Sequence, residues 1–143
     1  MDSEWTHDRF TISTDRARLD VDRIHSFLSE RAYWALGRSR ELVTRTIEHS
    51  LCFGVYDETA QVGFARVVTD YAIFAYLCDV FILESHRGRG LSKWLLRCVL
   101  AHPALAGMRR FHLVTDDAHG LYRQFGFTLL ANPERHMELM KAM

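Results

Sequence analysis

Proline is scarce in this chain of 143 residues: only Pro103 and Pro133 interrupt it. With so few breaks and no Ser/Gly-rich gap, nothing marks a linker, and one domain over 1–143 is expected. There are three cysteines, Cys52, Cys78 and Cys98. An odd, scattered set excludes a disulfide framework and predicts buried free thiols in a reducing, cytoplasmic setting. Neither these cysteines nor the eight histidines cluster at ligand spacing, so no metal site is expected. No charge sign dominates, since Lys plus Arg and Asp plus Glu are both 18. A dedicated nucleic-acid or membrane-surface binder usually carries a basic excess, so neither partner is expected. Long apolar runs are also missing. The longest candidate, "AIFAYLCDVFIL" at 72–83, is too short to span a bilayer and contains Asp79. The first ten residues are polar and acidic, unlike a signal peptide.

What remains is an ordinary globular composition with clear periodicities. "RFTISTD" (9–15) alternates as a strand does. Asp20 can cap a helix bearing Ile24, Phe27 and Leu28, and Ser39 a second with Leu42, Val43 and Ile47. "SLCFGVYD" and "QVGFARVVTD" flank the short "ETA", which predicts a hairpin. "AIFAYLCDVFIL" follows as a long strand. Leu91, Trp94, Leu95, Cys98 and Val99 then recur at helical spacing up to "HP" at 102–103. "RRFHLVT" (109–115) predicts a strand. Ala118, Leu121, Tyr122 and Phe125 predict a short helix, capped by Asp116 or Asp117 and ended by Gly126. "FTLLA" and "HMELMKA" predict a closing antiparallel pair. The order is β-α-α-β-β-β-α-β-α-β-β, an α/β fold.

One stretch departs from these patterns. "ESHRGRGLSKWLL" (84–96) places two arginines and two glycines between a buried strand and a helix. A helix start presents unpaired N–H groups and the positive dipole end. Glycine lets backbone approach a ligand, and Arg87 and Arg89 offer donors suited to phosphate oxygens. The turn therefore predicts an anion cradle for a phosphate or pyrophosphate. It lacks the Gly-Lys-Ser/Thr ending of a P-loop, and Lys93 stands where a dinucleotide fingerprint has its third glycine.

"RGRGLS" at 87–92 resembles the acetyl-CoA pyrophosphate loop of the GNAT acetyltransferase superfamily, Arg/Gln-x-x-Gly-x-Gly/Ala. Arg87 and Gly90 fill its fixed positions, and Ser92 stands where Gly or Ala is usual. "AHGLYRQFGF" at 118–127 is similar to the family's A-x-x-L-Y-x-x-x-G-F segment, and the element order matches nearly throughout. The resemblance implies a mixed, mostly antiparallel central sheet flanked by helices. It implies an N-acetyltransferase that moves an acetyl group from acetyl-CoA to a primary amine by direct attack on the thioester. The acceptor is a small-molecule or peptide amine, and a homodimer is an allowed assembly. Cofactor contacts fall on Val80, Phe81 and Ile82, whose backbone would pair with the pantetheine arm. They continue over Arg87, Gly88, Arg89, Gly90, Leu91 and Ser92. Tyr122 matches the tyrosine that protonates the leaving thiolate. Asp79, an acid inside an apolar strand, is the first candidate for general base, and His119 the second; water is the third route. "RAYWALGRSREL" (31–42) falls where the family builds its acceptor pocket, so Trp34 and Arg38 are the candidate substrate contacts, with Tyr33 and Arg40 beside them. Two other classes remain: a non-catalytic acyl-CoA sensor of the same fold, and an RNA-binding module on Arg87, Arg89, Arg109 and Arg110. Amine-dependent thioester cleavage separates the first, and salt-sensitive RNA binding would mark the second.

Overall fold

A computed structural model describes residues 2–142. Six strands form one sheet in the sequential order β1 to β6. They are β1 (Glu4–His7), β2 (Phe10–Ser13), β3 (Leu51–Asp57), β4 (Ala60–Thr69), β5 (Phe74–Ile82) and β6 (Arg110–His112). All neighbours are antiparallel except β5 and β6, which run parallel. Helices α1 (Val21–Arg31), α2 (Arg40–Glu48), α3 (Leu91–Ala101) and α4 (His119–Arg123) complete the fold. This is the mixed, mostly antiparallel sheet flanked by helices that the sequence predicts.

The caps read from sequence are in place. Asp20 accepts from Arg23 N at 3.0 Å and Ser39 from Leu42 N at 3.1 Å, each satisfying an orphan donor of a first turn. On α1 and α2 the residues one turn apart, Ile24 with Leu28 and Val43 with Ile47, are buried. They pack with Phe64 and Phe81 on one sheet face. On the other face, Leu91, Leu95, Leu96 and Val99 of α3 pack with Ile12, Phe53, Val55 and Val67. Each such side chain, once buried, contributes about 1.5–3 kcal/mol.

Four details differ from the sequence reading. The polar N-terminus supplies a strand, β1, because Trp5 pairs with Ile12 and stacks on Phe53 at 6.2 Å. Its turn is made by Asp8, in the left-handed region at φ 54°. The strand expected over 109–115 is ordered as such only over Arg110–His112. The last helix is capped at Ala118 rather than by Asp116 or Asp117. Thr115 Oγ1 takes the Ala118 N–H at 3.1 Å, and Gly126 at φ 93° ends the turn as expected. The closing pair over 127–131 and 136–142 is not in strand form: residues 128–142 are exposed and contain only a 3-10 turn at Pro133–Arg135. Alternation there marks strand potential, but a strand needs a partner edge to satisfy its backbone. The cysteines are free, with Cys52 and Cys98 buried and Cys78 half-buried.

Candidate active site

The site begins where β5 leaves β6. The two are paired only at Phe74–Arg110, Ala75–Phe111 and Tyr76–His112. Beyond Tyr76 they diverge, and the β6-side edge of β5 from Leu77 to Ile82 has no strand partner among the described residues. An unpaired edge inside a sheet is a row of open donors and acceptors.

The same strand is bulged. Arg66 pairs with Cys78 and Phe64 with Phe81, so Ala65 alone faces both Asp79 and Val80. Asp79 absorbs the extra residue at φ 52°, a left-handed conformation that aspartate tolerates better than most residues. The bulge switches strand parity. Ala75 and Leu77 face the α3 core, whereas Phe81 faces the α1–α2 core. Asp79 is thereby turned to the α1–α2 side, where its carboxylate is 4% exposed as a residue and fully engaged. Trp34 Nε1 donates to Oδ1 at 2.8 Å. Arg38 Nη1 and Arg66 Nε both donate to Oδ2 at 2.9 Å. Arg66 Nη1 also donates to Ser50 Oγ at 3.0 Å. The sequence candidate for general base is therefore an ion-paired carboxylate, its charge already neutralised by two guanidinium groups.

This cluster floors a cleft of about 400 Å³, walled by Tyr33, Trp34, Tyr76, Asp116, Asp117 and Tyr122 among others. A second cleft, about 320 Å³, runs past Phe27, Val80, Phe81 and Ile82 to Arg87 and Ser92. Tyr33, Trp34, Val80, Asp117 and Tyr122 line both, so the two clefts meet there. The Asp116 N–H donates to Tyr33 Oη at 2.9 Å, which ties the α1–α2 connection to the approach of α4 across the opening. Burial is the main force on Tyr122; it pushes the phenol up to about 12, so the group stays protonated at neutral pH. Cys78 also faces the first cleft, and burial pushes its thiol up to about 11.

The glycine–arginine turn closes the far end of the second cleft. Gly88 and Gly90 hold φ 78° and 77°, and a Cβ at either would meet nothing within 4 Å, so the space before them is open. Gly90 is the N-cap of α3 and no side chain caps it. Trp94 N is bonded to Gly90 O at 3.1 Å, which leaves the N–H groups of Leu91, Ser92 and Lys93 without intrahelical partners. Such a turn fits an anionic diphosphate. Arg87 Nε donates to Ile82 O at 3.0 Å, so that side chain braces the strand end. His86 anchors the loop from behind: Nε2 meets Asp57 Oδ2 at 2.8 Å and Nδ1 meets Ser85 Oγ at 2.7 Å. The hydrogen bond from His86 is the main reason that the Asp57 carboxyl lies below its usual range, with Arg9 adding to it.

Of the residues singled out from sequence, Val80, Trp34, Tyr33 and Tyr122 come together at the cleft junction, and Asp79 and Arg38 line the first cleft. Phe81, Ile82, Arg87 and Ser92 line the second cleft, with Gly88, Arg89, Gly90 and Leu91 in the turn at its end. Arg40 does not join them; its Nε donates to Asp22 at 2.7 Å on the outer surface. His119 is exposed and lines a third cleft of about 150 Å³, which shares Leu113, Thr115 and Tyr122 with the first. Arg66 escaped the sequence reading. Its signal was a lone cation inside the apolar run "QVGFARVVTD", which the register against Cys78 and the bulge beside it bring within 2.9 Å of Asp79.

A sheet splayed at one parallel junction, with a helix starting at glycine beyond it, is the arrangement that the sequence resemblance implies. The sequence matches the acetyltransferase (GNAT) family over residues 15–127, and the chain belongs to that family. The Gibberella zeae protein FG08082, provisionally named an acetyltransferase, is 33% identical over 97% of this chain and 88% of its own length. A crystallised GNAT-family protein of Xanthomonas campestris pv. campestris, xcc2953, is 51% identical, covers 95% of this chain and 94% of its own, and superposes with a TM-score of 0.91. N-acetylglutamate synthase from Neisseria gonorrhoeae, solved with coenzyme A and N-acetyl-glutamate, shares the fold at a TM-score of 0.73 and 16% identity, over 90% of this chain and 30% of that one.

Proposed function

We propose that the chain transfers an acetyl group from acetyl-CoA to the primary amine of a small or medium-sized acceptor. The observation that carries this reading is the meeting of the two clefts at Val80 and Tyr122. One cleft runs along the open edge of β5 to an uncapped helix start and suits an extended thioester with a diphosphate at its end. The other is polar, aromatic and open to solvent, and suits an amine.

In this reading the Leu91, Ser92 and Lys93 N–H groups hold the diphosphate, and backbone at Val80–Ile82 pairs with the pantetheine arm and polarises the thioester carbonyl. The neutral amine attacks that carbon, the C–S bond breaks, and Tyr122 gives its proton to the leaving thiolate. The amine releases its proton to water in the acceptor cleft. Asp79 is then a positioning residue: it sets the indole of Trp34 and the guanidinium groups of Arg38 and Arg66 as the acceptor's contact surface. Those guanidinium groups favour an acceptor that also carries a carboxylate or phosphate.

The test is CoA release from acetyl-CoA over a panel of amines. Anionic or zwitterionic amines should be turned over, with KM raised about 10-fold or more in Arg38→Ala, the scale of one lost charge-assisted contact, and unchanged in Arg40→Ala. CoA binding without turnover of any amine would make the chain an acyl-CoA sensor instead. Efficient turnover of polyamines, with Arg38→Ala silent, would move the acceptor pocket elsewhere.

A further inference from the structure

Charge is unevenly spread along the first cleft. Arg38 and Arg66 line it and do not line the second. Asp79 balances one of their two charges, so this end keeps a positive surplus. The other end is the junction with the second cleft. Among the described residues that line both clefts, Asp117 alone is charged. It shares that junction with Val80 and Tyr122, the place where the thioester carbon and its proton donor would meet. Exposed Asp116 adds a negative charge to the first cleft only, while Arg31 and Arg87 line only the second.

The backbone around Asp117 is pinned on both sides. Tyr33 Oη accepts the Asp116 N–H at 2.9 Å, and Thr115 Oγ1 accepts the Ala118 N–H at 3.1 Å. The Asp117 carboxylate is spent on neither task. No side chain caps α4, and Asp117 enters no ion pair among the described residues. A carboxylate held in a fixed place without a cation of its own suits a positive group brought by a ligand. Its charge also reaches the Tyr122 phenol, where it adds to burial and to Tyr33 in keeping the proton on.

We propose that Asp117 binds the amino end of the acceptor as its ammonium form and so orients a two-poled acceptor, its anionic end on Arg38 and Arg66 and its nitrogen at the thioester. This rests on the acetyl-transfer reading above. An alkylamine in neutral water is almost wholly ammonium, as lysine is. Guanidinium groups alone would hold the anionic end and leave the nitrogen free to swing, and orientation is a large part of such a reaction's barrier. The ammonium proton passes to water on the solvent side of the carboxylate. The neutral nitrogen then attacks the thioester carbon, the C–S bond breaks, and Tyr122 supplies the separate proton that the thiolate takes.

The experiment is steady-state CoA release by the full chain with glycine, β-alanine and γ-aminobutyrate, and with aminooxyacetate. The last is an isostere of β-alanine whose nucleophilic nitrogen is uncharged at neutral pH. In Asp117→Asn, kcat/KM for the ammonium acceptor that the wild type uses best should fall about 10-fold or more, the scale of one lost charge-assisted contact. Turnover of aminooxyacetate, or its competitive inhibition constant, should hold, as should CoA affinity in calorimetry. Asp117→Glu should restore most of the ammonium acceptor's rate. An equal loss with both kinds of nucleophile overturns the proposal, because the substitution then acts through Tyr122 or the shape of the loop. No loss with either overturns it too. A wild type inert to this series that still releases CoA with polyamines or monoalkylamines overturns it as well, because the acceptor is then not two-poled. A wild type that releases no CoA with any amine overturns the acetyl-transfer reading itself, and the proposal with it.

Discussion

Replacing Asp79 by Asn should destabilise the protein by about 3 kcal/mol, the low end of the range for removing one partner of a buried charge pair. The substitution preserves shape. Asn Oδ1 can still accept from Trp34 Nε1, but the amide NH₂ then faces Arg38 Nη1 and Arg66 Nε, donor against donor, where Oδ2 accepts from both at 2.9 Å. The Asp79 side chain is 2% exposed, so water does not replace the lost acceptor. The arginine side chains are 12% and 22% exposed, so partial solvation keeps the loss near the low end. At this chain length the loss corresponds to a Tm lowered by about 10 °C. Urea unfolding followed by tryptophan fluorescence measures it. In a cycle with Arg66→Met the double variant should lose less than the sum of the singles by about 1 kcal/mol or more. The acid limb of kcat/KM should persist in Asp79→Asn, because in the proposed mechanism water accepts the amine's proton and Asp79 positions side chains. A stability loss under about 1 kcal/mol, or a vanished acid limb, would refute the reasoning, the second by making Asp79 the base.

Gly90→Glu should abolish acetyl-CoA binding in calorimetry, because φ 77° strains any side chain and a carboxylate would enter the anion cradle; unchanged affinity would place the diphosphate elsewhere. Tyr122→Phe should lower kcat by about 10²-fold with little change in CoA affinity; activity near wild type would leave the ring a packing role and make water the acid. Stability should fall as pH rises above about 9, read as Tm against pH. The folded state raises Cys52, Tyr56 and Tyr122 to about 12 and Cys78 and Cys98 to about 11 by burial. Between the unfolded and folded values the unfolded chain has released protons that the native one keeps, so unfolding gains with pH. A flat profile from pH 9 to 11 would contradict the burial of these thiols.

Features that depend on near neighbours were legible in the chain alone. Asp20 and Ser39 cap helices because a short side chain can satisfy the N–H three residues on wherever the helix packs. The glycines at 88 and 90 are legible because positive φ is a local demand, and the α3 pattern because helical spacing puts Leu91, Leu95 and Val99 on one face. Features that depend on a distant partner emerge only once the chain is folded. The face taken by Asp79 follows from a bulge set by register against β4, which swaps strand parity and cannot be read from β5 alone. Arg66 becomes a site residue only through that register. The polar N-terminus becomes β1 because Trp5 finds Phe53, and the strand-like 127–142 segment runs beside β6, where His136 stacks on His112 at 6.4 Å, without forming a ladder with it. Backbone hydrogen bonds within a helix are local, whereas those of a strand are owed to another part of the chain, so helices were legible and strand pairing was not.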